Sequence, residues 1–149
     1  MPRKHSIETC IAQPEERHVS RVPRSLEHLK TGVTAVAVAA ARYRAFAAQA
    51  VKNDMPNLAK RWLELASEKD ALAILQLEAG GQVRDDGVNV RDALAEERFE
   101  NDVLYPKLIR DVEDETAEVF RRVVAAQQKT ATALRGMRES LQASTGDID

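Results

Sequence analysis

The chain has 149 residues, 44% of them hydrophobic, 31% charged and 4% aromatic, with only six Gly and five Pro. That length and that wealth of helix formers describe one domain able to bury a core without disulfide or metal, and the single Cys10 has no partner for an internal bridge, as befits a reducing compartment. A formal net charge of −2 points to neither nucleic acid nor a membrane surface, and the longest apolar stretch, Val33 to Ala41, is too short and too Ala-rich to span a bilayer; the expectation is a cytoplasmic protein.

Residues 1–24 carry Pro2, Pro14 and Pro23 among scattered charges with no sustained period. They read as an irregular N-terminal arm, whose ordering would call for a protein partner. From Ser25 the pattern changes. Leu29, Val33, Val36, Ala40, Tyr43, Ala47 and Ala50 recur at three- and four-residue spacing, which predicts a helix over about 25–53 with Ser25 as its N-cap. Pro56 opens a second helix over about 56–79, with Leu58, Trp62, Leu65, Leu72 and Ala73 on one face and Gly80-Gly81 as its stop.

A third helix, about 89–112, is expected to start at an Asn89 cap, to run through Ala93, Glu97, Glu100, Leu104 and Leu108, and to bend at Pro106. The fourth, about 114–142, rests on Ala117, Phe120, Val124, Gln127, Ala131, Leu134 and Met137. Four long helices over 25–142 and a short tail at 143–149, with no strand signal, predict an all-α four-helix bundle.

The run Asn89-Val90-x-x-Ala93-x-x-Glu96-Glu97-x-Phe99-Glu100-x-x-x-Leu104-Tyr105-Pro106 resembles the third helix of rubrerythrins, members of the ferritin-like superfamily. Arg42-Tyr43-x-x-Phe46-Ala47 and Ala59-x-x-Trp62 are similar to that family's first hairpin, and the likeness covers roughly Val33 to Met137. The resemblance implies a ferritin-like bundle built around a diiron centre. Two irons held about 3–4 Å apart need bridging carboxylates and imidazoles, drawn as a Glu from each of two helices and a Glu-x-x-His from each of the other two.

Most of those ligands are replaced. Val36 stands at the position of the first-helix Glu, and no acidic residue occurs between Glu27 and Asp54. Lys69 and Leu72 stand where the second helix should carry Glu and His. A one-residue shift offers Glu68 and Ala71 instead, still without a histidine. Helix three keeps Glu97 and Glu100, while Gln127 and Thr130 take the Glu and His positions of helix four. His5, His18 and His28 all lie at or before the start of helix one, and the one Glu-x-x-His, Glu15 and His18, sits in the arm. No metal cofactor is therefore expected.

Two buried carboxylates without countercharge are costly. Lys69 arrives at a former ligand position, so the expectation is that its ammonium pairs with Glu97 or Glu100 while Gln127 donates a further hydrogen bond. The alternative is that Glu97 and Glu100, with Glu68 as a further candidate, hold Fe in a rearranged site. The connection between helices two and three also looks short for a crossover along a bundle, which leaves a lengthened linker or a domain-swapped homodimer. Two functions follow from the resemblance: a noncatalytic dimeric scaffold or binding subunit, or a rubrerythrin-type oxidoreductase that reduces peroxide or oxidises iron.

Overall fold

The computed structural model describes residues 24–143 and 146–148, and every regular element among them is helical. Residues 1–23 of the N-terminal arm, with Cys10, Glu15 and His18 among them, lie outside the described residues. In chain order the elements are α1 (Ser25–Lys52), α2 (Pro56–Ala79), α3 (Asp86–Phe99), a π-helical turn (Glu100–Leu104), α4 (Tyr105–Arg110) and α5 (Asp114–Ala143). No described helix is long and apolar enough to cross a membrane.

Arg24 rather than Ser25 holds the N-cap position of α1, and no side chain caps that end. At the other end the chain reverses through Asp54, whose φ is +55°. The Met55 N–H donates to the Ala50 carbonyl at 2.9 Å and the Asp54 N–H to that of Val51 at 3.0 Å. These are the paired bonds of a Schellman closure, made here without the usual glycine. Pro56 then opens α2, where its missing N–H costs nothing. The same closure ends α2: Gly81 has a φ of +65°, its N–H bonds the Glu78 carbonyl, and the Gln82 N–H reaches back to Leu77, both at 2.9 Å.

The α1–α2 turn is so short that the two helices form an antiparallel hairpin, and their contact is made of alanine. Ala40, Ala47 and Ala50 on α1 and Ala59, Ala66 and Ala73 on α2 are all buried. Small side chains at these spacings let the two helices lie close. Trp62 packs at the turn end of this seam, with its ring centroid 5.2 Å from those of both Tyr43 and Phe46. Arg44 on α1 and Asp70 on α2 add an ion pair across the hairpin.

Of the predicted face of α2, Trp62 and Ala73 join the seam, but the leucines need a correction. Leu58, Leu65 and Leu72 do not lie in the hairpin seam but stand 41%, 42% and 44% exposed beside it. Both stripes have a helical period, and the close approach needed by the alanines selects the neighbouring one.

The third helix also differs from expectation. It begins at Asp86, three residues before Asn89, because Asp85 is the cap: its side chain accepts a hydrogen bond from the Val88 N–H at 3.1 Å. Asn89 instead binds back to the linker, accepting from the Arg84 N–H at 2.8 Å and donating to the Arg84 carbonyl at 2.7 Å. Arg84 also ion-pairs with Asp92. Some loss of solvent around the Asp92 carboxyl raises its pKa, but hydrogen bonds and attraction from Arg84 and Arg91 outweigh it and hold the group below its ordinary value. Rather than one bent helix, the segment then divides into α3, the π-turn and α4.

α3 and α4 pack along α5, forming the second hairpin. Its buried residues are Val90, Leu94, Ala117 and Ala131, and the Tyr105 and Phe120 rings meet at 5.8 Å between α4 and α5. At the start of α5 the Thr116 hydroxyl donates to the Glu113 carboxylate; that bond, followed by one from the Glu113 backbone, lowers the Glu113 pKa.

No helix of the first hairpin packs on a helix of the second. A groove of about 580 Å³ at the start of α1 and end of α2 is bordered by Leu26, Leu29, Val33 and Leu77, with Glu96 the one lining residue from the second hairpin. A single chain thus supplies two helical hairpins and does not close a four-helix core. Among the described residues the buried set is alanine apart from Val90 and Leu94. The chain exposes 12877 Å², whereas a compact protein of 16.5 kDa exposes about 7,500 Å². Even with roughly 4,100 Å² allotted to the residues outside the description, the area of a fully extended chain, the remainder exceeds that of a compact chain of its size by about 2,000 Å².

Candidate functional site

Glu97 and Glu100 come from the end of α3 and the first residue of the π-turn, with Asn101 beside them one residue on. All three are half-buried, as is Gln127 on the facing stretch of α5. Spacings of three and four residues put Glu97, Glu100 and Asn101 on one helix face. The Gln127 side-chain amide donates to the Glu100 carboxylate, so the expected bond from Gln127 joins the two helices here.

The π-turn changes the local register. The Tyr105 N–H reaches five residues back to the Glu100 carbonyl. Pro106 follows at the second position of α4, and in a regular helix its ring would press on the carbonyl four residues earlier, that of Asp102. The wider turn just before it takes up that conflict. Only Pro106 signals this in the sequence, and a simple bend is what it predicts.

Three acceptor atoms at the site are buried and have no hydrogen-bond donor: Glu97 Oε2, Asn101 Oδ1 and Gln127 Oε1. Each is a desolvated oxygen without compensation, typically at a cost of about 1–3 kcal/mol. The site as one chain builds it is therefore rich in acceptors and short of donors.

Lys69 does not supply the missing donor within the chain. It is half-buried on α2 and makes no ion pair among the described residues, because α2 does not pack on α3. Its neighbour Asp70 is turned to Arg44. Glu68 is exposed on the same helix and is separated from Glu97 and Glu100 by the same gap between hairpins. Thr130 is exposed, and its hydroxyl donates back to the Ala126 carbonyl at 3.5 Å.

The donor set also fits a diiron centre poorly. Both carboxylates come from one helical segment, the facing helix offers an amide, and no imidazole is near in sequence. Among the described residues no group of three His, Cys, Asp or Glu is placed to hold a metal ion. Chemically the arrangement gathers two carboxylates and two side-chain amides, with three of their oxygens lacking a donor.

No protein-family model matches this chain, and no curated protein matches it significantly.

Proposed function

We propose that the protein is a noncatalytic, rubrerythrin-like member of the ferritin-like superfamily that acts as a dimeric scaffold or binding subunit, its diiron site given up. What supports this reading above all is the Gln127 amide bound to the Glu100 carboxylate. A neutral side chain engages the carboxylate at the position where the family resemblance implies a ligand. The sequence pattern supports it too, with Val36, Lys69 and Thr130 at further ligand positions. The excess exposed area supports assembly with a second copy, since specific protein interfaces bury about 1,200–2,000 Å² in total.

The oxidoreductase reading draws on the orphaned acceptors, because carboxylate and amide oxygens also receive hard cations. It lacks the nitrogen ligands that peroxide or iron chemistry at such a centre would use. Metal analysis of full-length protein purified without chelator, followed by a peroxide turnover assay, separates the two. The scaffold reading expects no stoichiometric iron and no turnover above buffer. Two irons per chain, as a two-metal site requires, with peroxide consumption would overturn it.

A further inference from the structure

We propose that two copies exchange hairpins, so that the Lys69 ammonium of each docks on the Glu97, Asn101 and Gln127 acceptors of the other. This rests on the dimeric scaffold reading and specifies the contact that builds it.

Four observations converge on a second copy as the occupant. The first is the pattern on α2. Leu58, Trp62, Leu65, Lys69 and Leu72 recur at four- and three-residue spacing, so a half-buried cation sits in the middle of an apolar stripe that the chain leaves largely uncovered. The second is the complementary stripe, Ala93, Glu97, Glu100, Leu104 and Leu108, with its anions at the centre and Leu104 36% exposed. One face carries the charge that the other lacks, yet the two do not meet within a chain.

Donor arithmetic is the third. An ammonium has three N–H donors, and the acceptor site has three buried oxygens without one. The three oxygens are buried within the chain, so the docking requires the half-buried Glu97, Asn101 and Gln127 side chains to turn outward.

The linker is the fourth. Gly80–Asp85 separates α2 from α3 and reaches ~25 Å at full extension, while α2 with its 24 residues is ~36 Å long. The linker cannot carry the chain back along the whole of α2 to set α3 parallel to it. Bonds from Arg84 to Asn89 and Asp92 fix the last part of the linker on the start of α3, and the chain holds α3 clear of α2. A second copy meets both stripes without any crossover, and its two-fold symmetry repeats the contact twice.

The charge swap tests this in the full chain. Lys69→Glu and Glu97→Lys are prepared separately, and their dimerisation is measured by sedimentation alone and after equimolar mixing. In a dimer of either variant both exchanged contacts oppose like charges, so each alone is expected to dimerise at least about tenfold more weakly than wild type. In the mixed dimer both contacts are again opposite in sign, so mixing is expected to restore association. A contact within one chain stays broken on mixing. No gain on mixing, variants that dimerise like wild type, or a monomeric wild type would each overturn the proposal. If circular dichroism shows that a charge-reversed variant is unfolded, Lys69→Met and Glu97→Gln take its place. The mixed dimer, which keeps one native contact, should then exceed its statistical share, and a purely statistical mixture overturns the exchange. Metal content, measured on the wild-type sample, reads on the noncatalytic role alone, so failure of one reading is distinguishable from failure of the other.

Discussion

Replacing Ala66 by Leu tests the alanine seam that joins α1 to α2. Ala66 is 1% exposed, and it lies between Ala59 and Ala73 on the face of α2 that meets Ala40, Ala47 and Ala50. Three extra carbons there must either push the helices apart or force strained rotamers. Overpacking of this kind costs about 1–3 kcal/mol, and the helix propensities of Ala and Leu differ too little to mask it. The control is Ala71→Leu, the same substitution on an exposed position of the same helix, where the expected change is within about 0.5 kcal/mol. Urea unfolding followed by circular dichroism, at one fixed protein concentration, compares the two. With a slope of about 1–3 kcal/mol per molar urea, Ala66→Leu should lower the midpoint by roughly 1 M while Ala71→Leu leaves it nearly unchanged. Equal midpoints for the two variants would refute the close alanine contact.

The two Schellman closures predict opposite signs for two further substitutions. Gly81→Ala should destabilise by about 1 kcal/mol, because a Cβ meets nothing within 4 Å and the cost is purely that of a left-handed backbone. Asp54→Gly should raise the melting temperature, by relieving the same strain at φ +55°, with a gain of up to about 1 kcal/mol. Acid titration supplies another check. Asp92 and Glu113 both have folded pKa values below the ordinary carboxylate range, so their stabilisation is present above the unfolded pKa and is lost as pH falls through the folded one. Melting temperatures measured downward from pH 6 should therefore drop more steeply for wild type than for Asp92→Asn, and parallel curves would contradict the Arg84–Asp92 link.

The helical period made α1 and α5 legible, since Ala40, Ala47, Ala50, Ala117 and Ala131 fall on the predicted stripes and are buried. On α2 the same reasoning chose between two adjacent stripes and took the one with leucines, because apolarity ranks Leu above Ala whereas close packing of two helices ranks size in reverse. Gly80-Gly81 announced the end of α2. Asp54 gave no such warning, as a left-handed aspartate is uncommon. Asp85 and Asn89 are both good caps by type, and the competing bonds from Asn89 to Arg84 decide between them. At the candidate site, the contact of Gln127 with Glu100 was expected from the family resemblance, which sets Gln127 at a former ligand position facing helix three. That Lys69 stays apart from the carboxylates of its own chain was not, because register fixes which faces match and says nothing of how the hairpins pack.

The mass of the full-length wild-type protein in solution tests most directly the claim that a second copy completes the core. Sedimentation equilibrium at micromolar concentration should return about twice the 16.5 kDa of one chain, as expected when large apolar stripes on both hairpins seek cover. A single species of 16.5 kDa across that range would contradict it.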